Sequence, residues 1–176
     1  QADFDRVKQL LAEGDPTITK AWNRLKANEY SGSGIATYPT VDVLRGGDGQ
    51  NYMNACRGAA MAYQNALRWK IEGTEANAKA AVRILMAWAD VCKNVGGDSN
   101  YALASGLYGY QFAQAAELVR DYEGWSAEDF SRFQLSENHV FCCRKGGVYQ
   151  VYNDGEGLLD MYRISFVGDY GTIPKN

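Results

Sequence analysis

The sequence predicts a mainly α-helical protein, built of antiparallel helix pairs with a small C-terminal antiparallel β-meander. Three observations lead there. Apolar residues recur at helical spacing through most of residues 1–137, short glycine-bearing turns separate those patterns, and after Asn138 β-branched and aromatic residues alternate with glycine clusters. Residues 1–137 are therefore read as a helical unit and residues 138–176 as a short β-rich segment packed on it, in a single domain. At 176 residues, with 46% apolar and 22% charged side chains, the chain has the size and composition of one folded domain.

Asp3 to Glu13 places Phe4, Val7, Leu10 and Leu11 on one helical face, and Gly14 ends it. Asp15-Pro16 caps and opens a second helix with the stripe Ile18, Ala21, Trp22, Leu25. Periodicity then stops. Asn28 to Gly49, with Ser31-Gly32-Ser33-Gly34 and Arg45-Gly46-Gly47-Asp48-Gly49, reads as one long ordered loop and the first place to look for ligand contacts. A third helix runs from about Gln50 to Ile71 with Tyr52, Cys56, Ala59, Tyr63 and Leu67 on one face. Gly73-Thr74 closes it and caps a fourth, where Ala78, Ala81, Leu85, Trp88 and Cys92 repeat.

Gly96-Gly97-Asp98-Ser99-Asn100 reads as a turn. The fifth helix carries Leu103, Leu107, Tyr110, Gln114 and Leu118 along one side, with Tyr108, Phe112, Ala115 and Val119 beside it. Ser126 followed by Asp129 resembles a capping box and starts a sixth helix to about Leu135. Val148 to Tyr152 and Leu158 to Val167 read as strands joined by a glycine turn, with His139 to Cys143 as a third. Trp22, Trp69, Trp88 and Trp125 are assigned to packing between helices.

A net charge of −3 offers no basic footprint for nucleic acid and no polybasic run for anionic lipid. Charged or amide side chains interrupt every apolar window before it reaches membrane-spanning length. The start at Gln1, without Met or an apolar leader, fits a mature secreted or periplasmic chain. Cys56 and Cys92 fall on apolar helix faces, where packing is the default and a mutual disulfide the alternative. Cys142 and Cys143 are neighbours, a strained arrangement for a bond, and neither pair has metal-ligand spacing. Phosphate-loop, serine-elbow and two-histidine zinc motifs are missing from the sequence.

The stretch from Gln1 to about Gln134 resembles the N-terminal part of the alginate lyase-like polysaccharide lyases, which fold as incomplete α/α toroids of paired helices. The residues that carry the resemblance are Tyr52-Met53-Asn54-Ala55, Ala62-Tyr63-Gln64-Asn65-Ala66 and Ala87-Trp88-Ala89. Gly109-Tyr110-Gln111-Phe112-Ala113-Gln114-Ala115-Ala116-Glu117-Leu118 and Tyr122-Glu123-Gly124-Trp125 extend it. It implies binding or cleavage of a uronate-containing, alginate-type polysaccharide by β-elimination, with no cofactor and no metal strictly required. In that reaction a base takes the C5 proton, a neutralising group holds the carboxylate, and an acid assists the C4 oxygen.

The family's Asn-Asn-His motif on an inner helix maps onto Asn138 and His139 as catalytic residues, while Glu137 departs from it. Family members also continue into further helix pairs where this chain turns to predicted strands, so the resemblance implies either a divergent or truncated relative, or a groove completed by another subunit, such as a second copy in a homo-oligomer. For substrate contacts, Arg45 in its glycine loop suits bidentate pairing with a carboxylate, with Asn51 and Tyr52 beside it at the start of the third helix. Tyr108, Tyr110 and Gln111, near a glycine turn, suit stacking and hydrogen bonding to sugars. A solvated Arg45, a capping Asn51 and core tyrosines are the alternative roles. A non-catalytic carbohydrate-binding or helical protein-interaction module is the competing function.

Overall fold

A computed structural model describes residues 2–98 and 100–140. Helices α1 (Ala2–Ala12) and α2 (Pro16–Ala27) form the first hairpin. The Asp15 carboxylate accepts the Ile18 N–H at 2.8 Å, and Pro16 occupies a position where no N–H is needed. α3 (Met53–Glu72) ends at Gly73, whose N–H returns to the Trp69 carbonyl at 2.8 Å. α4 (Glu75–Val91) folds back antiparallel to it. Thr74 holds the N-cap position, but its side chain makes no capping bond.

The third helical rod is α5 (Tyr101–Ala104), a π-helical turn (Ser105–Gly109) and α6 (Tyr110–Val119). Tyr52 stacks on Tyr108 near the N-terminal ends, and Lys70 pairs with Asp121 at 2.7 Å near the C-terminal ends. α3 and α6 therefore run the same way. α7 (Ala127–Val140) packs beside α4, where Ser136 donates to the Ala89 carbonyl at 2.8 Å and Arg132 pairs with Asp90. Small residues bring these helices close: Ala55, Ala59, Ala62 and Ala66 of α3 are buried with Ala78 and Ala81 of α4 and Ala113 and Ala116 of α6. Trp88 and Phe112 fill the space between, their ring centroids 5.5 Å apart. Burial of this contiguous apolar set is the main stabilising term. Cys56 and Cys92 are thiols within this packing and are not bonded to one another.

The loops and the end of α7 differ from the sequence-based expectation. The long loop and the glycine turn are not wholly irregular: β1 (Asp42–Arg45) pairs in parallel with β2 (Asn94–Gly97), the helices α3 and α4 making the crossover that parallel strands require. Gly97 has φ 118°, and a Cβ there would meet the backbone of Arg45, so only glycine lets the strands approach at this point. Of the two sides read on the third rod, the one with Leu103, Leu107 and Tyr110 faces outward, each at least 40% exposed, whereas Tyr108, Phe112, Ala115 and Val119 are buried. α7, capped as expected by Ser126 Oγ accepting the Asp129 N–H at 3.1 Å, continues to Val140. His139 and Val140 are thus helical and do not begin a strand, and the boundary expected at residue 138 falls inside α7. The expected C-terminal meander lies outside the described residues.

Two fully buried amides tie the hairpin to the chain before it. Asn65 donates to the carbonyls of Met61 (2.9 Å) and Tyr30 (3.0 Å), and its own oxygen accepts from Asn77 at 2.6 Å. Asn77 also donates to the Ser31 carbonyl at 3.0 Å. The irregular chain after α2 is thereby held by side chains of α3 and α4, which satisfy its buried carbonyls. Among the described residues, no helix is long and apolar enough to cross a membrane.

Candidate functional site

The parallel pair ends in register at Arg45 and Gly97, and the glycine-rich loop 46–50 follows β1. Carboxyl ends of parallel strands are where chain direction changes and side chains from several elements converge. Here Asn51 fixes the geometry. Its side-chain oxygen accepts the Leu44 N–H at 2.8 Å and its amide donates to the Asp42 carbonyl at 2.9 Å, while the Asn51 and Tyr52 N–H groups both donate to the Leu44 carbonyl. Both ends of the Asn51 side chain are thus committed to β1. It acts as a positioning residue between strand and α3, and its side chain makes no capping bond to the helix.

Arg45 is half-buried and donates from Nη1 to the Tyr108 hydroxyl at 2.8 Å. Its guanidinium carbon lies 4.8 Å from the Tyr52 ring centroid and 5.8 Å from that of Tyr108, and those two rings are nearly parallel, 5° apart, at 6.3 Å. Cation–π attraction and the hydrogen bond hold the charge in place, each a modest contribution of about 1 kcal/mol. Among the described residues no carboxylate pairs with it. The Asp98 carboxylate packs where a side chain at Gly46 would stand, and accepts from the Asn100 N–H and amide at 2.8 Å each. The glycine therefore admits an acidic group beside the Arg45 loop, a neighbour that spacing alone gave no means to find.

Tyr108 sits in the π-helical turn, 5% exposed. The extra residue of such a turn re-aims side chains and is frequent at functional positions. Burial pushes the Tyr108 phenol above the ordinary value of 10.0, Arg45 opposes this, and Cys56 and Tyr52 add to the rise. Tyr63 is raised first by burial and then by Tyr110. Both phenols stay protonated at neutral pH.

Below about pH 10 both the folded and unfolded chains hold these protons, so the full stability is present; above it the unfolded chain releases them first, and stability falls as pH rises through the elevated native values. Urea midpoints measured from neutral to strongly alkaline pH are expected to drop above about 10, and the double variant Tyr63→Phe, Tyr108→Phe should flatten the drop. An equal drop in that variant would contradict the assignment.

The other expected site residues are distributed differently. Tyr110 is 40% exposed on the outward side of α6, accepts from Gln114 at 2.7 Å and neighbours Tyr63, outside the Arg45 cluster. Gln111 is half-buried on α6, and no hydrogen bond joins it to Arg45. Asn138 and His139 lie in the last turn of α7, toward the C-terminal end of α4 from which β2 departs; their side chains fall outside what is described. The structure thus joins Arg45, Tyr52 and Tyr108, with Asn51 as their support. Among the described residues no three His, Cys, Asp or Glu side chains gather as metal ligands. Comparison with family models, curated proteins and solved structures yields no match to this chain.

Proposed function

We propose that the chain is a secreted or periplasmic polysaccharide lyase-like protein that binds a uronate-containing, alginate-type polysaccharide at Arg45 and cleaves it by β-elimination. One observation carries this reading: a half-buried guanidinium framed by two tyrosine rings, without a carboxylate partner among the described residues. A uronate supplies what that frame lacks, a planar carboxylate for the fork and a ring face for Tyr52. The order of packing also supports an incomplete α/α toroid. First members of successive helix pairs pack on one another (α1 with α3, α3 with α6), and among second members α4 packs on α7.

In the proposed reaction Arg45 neutralises the carboxylate and so acidifies C5–H. The base, for which His139 is the candidate, takes that proton; the C5–H electrons form the C4–C5 double bond and the C4–O4 bond breaks. Tyr108, kept protonated by burial, is suited to supply a proton to O4. A second reading, a binding module without chemistry, is favoured by the fact that Arg45 and Tyr108 are both proton-bearing donors at neutral pH, a set that holds a carboxylate without removing a proton. Incubation with alginate, glucuronan and pectate separates the two. The unsaturated sugar end produced by elimination absorbs in the far ultraviolet, and a rise with the alginate-type substrate is expected; binding without any rise would remove the catalytic claim.

A further inference from the structure

The irregular chain after α2 forms one wall of a groove of about 520 Å³ whose other wall is α3. Its lining includes Glu29, Tyr30, Tyr38, Asn54, Arg57 and Met61. Asn54, Arg57 and Met61 recur three or four residues apart on one side of α3, opposite the side that carries Tyr52, Cys56 and Tyr63. The groove is therefore separate from the Arg45 cluster. Tyr38 is 71% exposed, and Arg57 is exposed with no hydrogen bond or ion pair among the described residues. We propose that this groove is a second saccharide site, which takes an anionic sugar unit with its carboxylate on Arg57 and its ring on Tyr38.

The wall is fixed before any ligand arrives. Arg83 donates to the Ile35 carbonyl at 2.7 Å, Trp88 Nε1 to Thr37 Oγ1 at 3.1 Å, and Asn65 to the Tyr30 carbonyl at 3.0 Å. This segment, regular only in the 3-10 turn Glu29–Ser31, is thus pinned along its length by side chains of α3 and α4, which lowers the ordering cost of binding. Tyrosines present an apolar face with a polar edge, the Asn54 amide and Glu29 carboxylate provide donors and acceptors around them, and the guanidinium provides the charge. A sugar ring with one apolar face, a rim of hydroxyls and a carboxylate uses all of these. An acidic peptide draws on a free sheet edge or a cluster of arginines, whereas no residue of β1 or β2 lines the groove and Arg57 is the one arginine in its lining.

The acidic saccharide is the ligand class of the Arg45 reading, and the test separates the two sites. Calorimetric titration with a short oligomannuronate, and in parallel with an oligoglutamate, is compared for the wild-type chain, Arg57→Gln, Tyr38→Ala and Arg45→Gln. Arg57→Gln and Tyr38→Ala are each expected to weaken one oligomannuronate binding event about tenfold or more, with that event intact in Arg45→Gln. Both residues are exposed, so an unchanged thermal midpoint shows that folding is preserved. Isotherms unchanged in Arg57→Gln and Tyr38→Ala overturn the second site, as does oligoglutamate binding at Arg57 without oligomannuronate. Binding lost in Arg57→Gln but unaffected in Arg45→Gln upholds it and removes the Arg45 reading instead.

Discussion

Arg45→Gln is expected to weaken the oligouronate binding event assigned to this cluster roughly a hundredfold, about 3 kcal/mol, because the charge-assisted hydrogen bonds to the carboxylate disappear and the desolvated carboxylate is left facing two phenol rings. Arg45→Lys keeps the charge but loses the flat fork that lies over Tyr52 and reaches the Tyr108 hydroxyl, so its affinity should fall between the two. The fold should change little. The interactions of Arg45 within the protein amount to a cation–π contact and one hydrogen bond to a neutral acceptor, so unfolding free energy is expected to shift by about 2 kcal/mol or less. Calorimetry for affinity and urea titration for stability distinguish a lost ligand contact from a damaged fold. An unchanged affinity in Arg45→Gln would contradict the role given to this guanidinium.

The largest expected loss of stability comes from Asn65→Leu. Asn65 is fully buried, and its removal deprives the Tyr30 carbonyl of a donor and the Asn77 amide of its acceptor in one step. Each orphaned buried group costs about 1–3 kcal/mol, so a total near about 3 kcal/mol is expected, or a fall of about 6–12 °C in the thermal midpoint for a domain of this size. Asn77→Leu should cost less than that again when added to Asn65→Leu, because the bond between them is lost only once. Thermal unfolding of the two single variants and the double variant checks this. Strict additivity would show that the amide pair does not act as a unit.

The helices and their ends were legible because their causes are local. Asp15-Pro16, Gly73 and Ser126 act within one turn of their own positions, and the apolar periodicity of α4 matches the face it buries, whereas on α3 the expected face is buried only at Ala59 and the small residues Ala55, Ala62 and Ala66 beside it go inside instead. The strands were not. Asn94-Val95-Gly96-Gly97 is short and half glycine, and it becomes β2 only because Asp42–Arg45 lies alongside, more than 50 positions away in sequence. The same applies to the candidate site. Arg45, Tyr52 and Tyr108 were each identifiable by residue type, but the Arg45–Tyr108 bond spans 63 positions and depends on a π-helical turn that the periodicity of residues 101–119 does not reveal. The clamp made by Asn51 was not legible, because an amide at the start of a helix looks the same whether it caps the helix or clamps a strand. Asn65 and Asn77 gave no signal either, since a polar residue within an alanine-rich pattern has no local mark of burial.

A crystal structure of the chain with a bound oligouronate tests the central claim most directly. The expected result is a sugar carboxylate in bidentate contact with Arg45 Nε and Nη2, the uronate ring against Tyr52, and Tyr108 still accepting from Nη1. A structure in which Arg45 is closed off by a carboxylate of the protein itself, with the sugar seated elsewhere, would contradict it.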